Sequence, residues 1–169
     1  MLSPQASVLL RDRLVQIGNI CRQWAQIELH VARAIWCMLG VDHESGVILT
    51  GGLNMSSRVT IAIKLAKHLN TPSIAIDALK ATQKVLDNHL EERRNQAVHG
   101  IVFLHPNDPS IEIFEMHRGK RKGRQHLSNK DLDKLSKELA ELEITLHSEL
   151  MRAGIFTNPC VKPTPIIAR

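Results

Sequence analysis

Apolar residues recur at helical spacing over most of this chain. Between Gln5 and Leu39 they fall at Cys21, Trp24, Ala25, Val31, Ala32, Ile35, Met38 and Leu39, one face of a long helix. Gly18 offers a place for a kink, and Gly40 follows as a C-terminal stop. Glu28 falls inside the stripe, where a carboxylate needs a partner because an unpaired buried charge is expensive. Val41 to Leu53, containing Gly46, Gly51 and Gly52, reads as a connection. A second helix is predicted from Ser56 to Leu69, with Val59, Ala62, Ile63, Ala66 and Leu69 on one face. Thr71 as N-cap and Pro72 in the first turn open a third helix, which runs to Val98 with Ala75, Leu79, Leu86, Leu90 and Ala97 as its stripe.

Beyond Gly100 the period changes. Ile101 to Leu104 is strand-like, His105 to Ser110 carries turn residues, and Ile111 to Met116 alternates with a period near two. Together they predict a hairpin. Ser128 and Asp131 resemble a capping box opening the last helix, where Leu132, Leu135, Leu139, Leu142 and Leu146 repeat three and four residues apart. That stripe is expected to pack internally rather than across a dimer seam. The expected fold is all-α, a four- to five-helix up-and-down bundle with a small β-hairpin inserted before the last helix. It occupies one domain over residues 1–155, followed by a Pro-containing tail over 156–169.

Composition removes several function classes. Aromatic residues make up only 3% of the chain and Tyr is absent, which argues against an aromatic stacking platform for single strands. The net charge is +5, yet Arg118, Lys120, Arg121, Lys122 and Arg124 lie together without an acid, so they account for the whole excess. The protein reads as a neutral body carrying one basic segment, which suits a phosphate-bearing partner such as RNA or serves only as a solvated loop. Cys21, Cys37 and Cys160 are an odd, sparse set that fits a reducing compartment. On one helix Cys21 and Cys37 stand roughly 24 Å apart and cannot bridge. No apolar run is long enough to cross a membrane and no cleavable leader pattern opens the chain, so a cytoplasmic protein is expected. Asp42, His43 and Glu44 read as a polar loop rather than metal ligands, and no cofactor or metal is expected.

The chemically informative stretch is Glu91 to Gly100. Asn95 and His99 are four residues apart and share a helix face, where Asn95 can hold the imidazole in one tautomer. Arg94 and His99 are five apart, about 140° around a regular helix, so they flank a groove. Arg supplies a permanent cation for a phosphoryl transition state, and His moves protons. That pairing suits metal-independent RNA cleavage, in which the 2′-hydroxyl attacks the adjacent phosphorus.

The string RRNQAVHG, with Arg94, Asn95 and His99, resembles the R-x4-6-H signature of the HEPN superfamily (higher eukaryotes and prokaryotes nucleotide-binding). The helical context and the acidic Glu28 on the packed face of the first helix are similar too. The same spacing recurs at Arg121 and His126, but in a Gly- and Lys-rich segment without the Asn. The resemblance implies a homodimer in which paired Arg94, Asn95 and His99 form a catalytic cleft, Glu28 in support. It implies an endoribonuclease leaving 2′,3′-cyclic phosphate ends, in a toxin or defence setting with an antitoxin protein as partner. Other members of the superfamily have lost activity, which leaves a non-catalytic binding or assembly module as the alternative.

Overall fold

The computed structural model describes residues 4–99, 101–104, 111–114, 116–117, 120–121 and 129–156. Helix α1 spans Pro4–Leu39 and runs through Gly18 without interruption. Gly40 ends it at φ 65°, with Val41 N–H donating to Trp36 C=O and Gly40 N–H to Cys37 C=O. Both bonds satisfy carbonyls that the last turn leaves open, and the positive φ is why glycine stands there.

The segment expected to be a connection contains a helix, α2 (His43–Thr50). Its N-cap is Asp42, whose carboxylate accepts from Ser45 N–H at 2.9 Å and from the Ser45 hydroxyl at 3.0 Å. These bonds hold the Asp42 carboxyl below its usual value, the backbone one most strongly. Helix α3 (Met55–His68) is capped by Asn54, which accepts from Ser57 N–H, so Ser56 and Ser57 are inside the helix and do not cap it. Asn70, at φ 52°, closes α3. Thr71 is not the N-cap of the next helix; its hydroxyl donates back to Ala66 C=O at 3.2 Å. Helix α4 (Ser73–Val85) starts after Pro72 with no side-chain cap. Helices α3 and α4 pack against each other, and the small residues Ala62 and Ala66 on α3 and Ala75 and Ala78 on α4 are buried.

The single third helix of the sequence reading is divided. A π-helical turn, Leu86–Leu90, separates α4 from α5 (Glu91–His99). Helix α6 (Asn129–Arg152) completes the set. Leu132, Leu135, Leu139, Leu142, Leu146 and Leu150 are all buried, so the leucine stripe packs internally as expected.

The expected four to five helices with a small hairpin therefore need correction. The described residues are mostly α-helical, with six α-helices among them. No closed hairpin is seen among the described residues. Instead two short, separate ladders stand between α5 and α6. Strands β1 (Ile101–Leu104) and β2 (Ile111–Phe114) pair antiparallel, Ile101 opposite Phe114, and β3 (Met116–His117) pairs with β4 (Lys120–Arg121). Residues 105–110, the expected turn, and the tail from 157 lie outside the described residues. The alternation of Ile111 to Met116 is real, but Glu115 is not described and the ladder changes partner after Phe114.

By its internal contacts the chain divides into two compact units. The first comprises Met1–Trp24 and Asp87–Glu141, the second Ala25–Leu86 and Leu142–Arg169. Helices α1 and α6 each contribute to both. In the first unit Ile20, Trp24, Leu90, Ala97, Leu132, Leu135 and Leu139 are buried, together with Arg13. Burial lowers the Arg13 pKa, and the carboxylates of Asp131 and Asp133 oppose that shift. In the second unit Ile27, Val31, Ile35, Val59, Leu79 and Leu146 are among the buried side chains. Among the described residues no helix is long and apolar enough to cross a membrane.

Candidate functional site

Helix α5 continues from the π turn, with Glu91 and Glu92 in its first turn and His99 in its last. Its two adjacent arginines diverge by about 100° around the helix axis and meet different surroundings. Arg93 donates from Nη1 to Glu138 Oε2 on α6 at 2.7 Å, with both side chains about a third exposed. Lys134 stands 3.9 Å from the same carboxylate.

Arg94 meets no carboxylate among the described residues. Its guanidinium carbon lies 5.1 Å from the centre of the Trp24 ring on α1, within cation–π range. Its Nη1 donates to Asn95 Oδ1 at 2.7 Å. Its Nε is buried and has no hydrogen-bond acceptor among the described residues. Trp24 itself is 2% exposed, so this support is a fixed part of the first unit.

The structure thus brings Arg94 and Asn95 together. Asn95 was expected to orient His99; its carbonyl oxygen instead accepts from Arg94. His99 ends α5 with its side chain exposed, and among the described residues it makes no hydrogen bond or ion pair. Glu28 belongs to the second unit, is half-buried, and has an interaction of its own. In the basic segment, Arg118, Lys122 and Arg124 lie outside the described residues, and Lys120 and Arg121 form the backbone of β4. Among the described residues no three His, Cys, Asp or Glu side chains come close enough to share a metal ion.

Sequence reasoning placed Trp24 in the apolar stripe and missed its contact with Arg94. No local spacing links the two residues, because the contact joins α1 to α5. A second cluster, in the second unit, is built from histidines that the sequence places on helices without ligand spacing. The His30 and His147 rings lie 4.6 Å apart and tilted by 38°, and Phe156 stacks on His147 at 5.7 Å beneath the Arg33 guanidinium at 5.0 Å. Burial, then the proximity of His147 and Arg33, pushes the His30 pKa down to about 4. The Nδ1 atoms of both histidines are buried without a hydrogen-bond partner among the described residues.

Chemically, the first cluster offers a positioned, permanent cation five residues before an exposed imidazole at the end of the same helix. A cation whose N–H groups are not spent on a carboxylate is available to a phosphate, and an imidazole can give or take a proton. No protein-family profile, curated protein or solved structure matches the chain.

Proposed function

We propose that this protein is a HEPN-like, metal-independent endoribonuclease acting as a twofold dimer. The observation that carries the proposal is the contrast on α5: Arg93 is neutralised by Glu138, whereas Arg94 is held by Trp24 and Asn95 with no acidic partner among the described residues. Arg94 stabilises the charge that develops on the non-bridging phosphate oxygens. His99 moves the proton. The RNA 2′-hydroxyl attacks the adjacent phosphorus and the bond to the 5′-oxygen breaks. The products carry a 2′,3′-cyclic phosphate and a 5′-hydroxyl. One copy of Arg94 and His99 supplies few groups for this reaction, so two copies meet about a twofold axis. Arg118, Lys120, Arg121, Lys122 and Arg124 steer the RNA backbone, and Glu28 supports the helical scaffold. The setting is cytoplasmic, as a toxin or defence effector held in check by an antitoxin protein.

The test is incubation of the pure protein with mixed RNA in EDTA, beside DNA, with light scattering for the oligomeric state. RNA is cleaved and DNA resists. His99→Ala slows cleavage at least ~10²-fold, and Arg94→Ala slows it by ~10²–10³-fold. A second reading, a non-catalytic assembly module, is favoured by exposed apolar side chains: Val8, Leu14 and Val15 on α1, and Ile48 on α2, which is 82% exposed. RNA left intact by folded, dimeric protein between pH 6 and 9 defeats the ribonuclease and leaves that module.

A further inference from the structure

We infer that Trp24 is a positioning residue for Arg94: its buried ring face, with Asn95, presets the plane of the guanidinium that would receive a phosphate. The kinetic part of this inference rests on the ribonuclease reading; the geometric part does not.

Two kinds of group can hold an arginine still. A carboxylate does so through N–H···O bonds, but it consumes those donors and cancels the charge, as Glu138 does for Arg93. An aromatic face holds the cation through its quadrupole and leaves the charge and the edge N–H groups unspent. Trp24 is placed for this, 5.1 Å beneath the Arg94 guanidinium carbon. Asn95 adds one bond, at 2.7 Å, to Nη1 and fixes rotation within the plane. The two supports come from different helices, α1 and α5, so neither alone sets the orientation. Nε–H is buried without an acceptor among the described residues, which places the side chain against the indole rather than out in water. A free arginine loses much rotamer entropy when it is immobilised. A guanidinium already fixed loses little more when a phosphate arrives, and the gain appears where geometry matters most, in the transition state.

The test uses the full-length protein as wild type, Trp24→Phe, Trp24→Leu, Arg94→Ala and the Trp24→Leu/Arg94→Ala double variant. Circular dichroism and thermal melts identify which variants are folded. The first readout is the arginine Nε–Hε region of an ¹⁵N–¹H spectrum, with Arg94 assigned as the signal lost in Arg94→Ala. The inference expects an upfield, ring-shifted and exchange-protected signal in the wild type. That signal is partly kept in Trp24→Phe and moves to the position of a free arginine in Trp24→Leu. If Trp24→Leu does not fold, the wild type and Trp24→Phe decide the matter. A wild-type Arg94 signal at the free position overturns the inference.

The second readout is steady-state RNA cleavage. Trp24→Leu lowers kcat ~10-fold with KM within ~2-fold, and Trp24→Phe restores most of it. In the Arg94→Ala background the same change has no further effect, because the group it positions is gone. A loss that repeats at full size in that background assigns Trp24 to general packing and overturns the positioning role. If wild-type protein cleaves no RNA, the ribonuclease reading fails, and the spectrum still decides whether Trp24 positions Arg94.

Discussion

At the scale of single residues, the two arginines of α5 differ in what holds them: a carboxylate for Arg93, an indole face and an amide for Arg94. Arg93 is half of a part-exposed ion pair with Glu138, 28% and 33% exposed. Such pairs contribute on the order of 0–1 kcal/mol, because water screens them and both side chains lose freedom. Arg93→Ala is therefore expected to cost under ~1 kcal/mol in urea unfolding and to change RNA cleavage by less than ~3-fold. On the ribonuclease proposal its neighbour Arg94 is the one expected to show the large kinetic effect. Equal losses of rate in the two variants would place the phosphate between both arginines and remove the distinction. Much of this pair was legible beforehand. The spacing of Arg94, Asn95 and His99 placed the three on one helix, and on α5 the first two meet. Which partner Asn95 takes was not legible, since helical spacing states which side chains can meet and not which one wins. The adjacent guanidinium offers a charge-assisted bond, and Asn95 accepts from Arg94. Trp24 was illegible for a different reason: its role depends on a tertiary contact with no local signature.

At the scale of elements, long amphipathic helices were legible and short or irregular ones were not. Helices α1, α3, α4 and α6 each carry a stripe that accumulates over many residues. Helix α2 has eight residues, and its apolar Val47, Ile48 and Leu49 are consecutive and exposed, so no periodic face announces it. The π turn hid because Leu86 and Leu90, four apart, are both buried and keep the spacing of an ordinary helix. What holds α2 is Trp36. The indole N–H donates to the Thr50 hydroxyl at 3.1 Å, and that hydroxyl donates to Gly46 C=O at 2.9 Å. A Cβ on Gly46 would lie 2.5 Å from the indole ring. Alanine normally stabilises a helix relative to glycine by about 1 kcal/mol. Here the methyl must push the indole off Thr50, and overpacking of that kind costs ~1–3 kcal/mol. Gly46→Ala is expected to lower the melting temperature. Gly18→Ala, on an exposed position of α1 with open space around its Cβ, raises stability by ~0.5–1 kcal/mol. The two substitutions are chemically identical, so thermal melts that shift in the same direction would show that Trp36 does not clamp α2.

At the scale of the whole molecule, the most informative buried charge is one the protein must avoid. His30 is only 8% exposed and packs against His147; burial, then the proximity of His147 and Arg33, lowers its pKa to about 4 from an ordinary 6.5. Between those two values the unfolded chain binds a proton that the folded chain refuses. Unfolding is then favoured as pH falls. The contribution of His30 to stability is complete above pH 6.5 and is lost progressively down to about pH 4. The whole shift corresponds to about 3 kcal/mol, at roughly 1.4 kcal/mol for each pH unit. The Asp42 cap acts in a different window. Its carboxyl is held below the ordinary 3.8 by Ser45, so its support is present above that value and lost only in stronger acid. The two groups separate by pH. Urea unfolding of wild type should show a falling midpoint from pH 6.5 to pH 4.5. His30→Phe keeps a ring against His147 and Phe156 but has no proton to refuse, so its midpoint should stay nearly level over the same range. Parallel slopes in the two proteins would move the acid sensitivity away from the imidazole pair and onto the carboxylates.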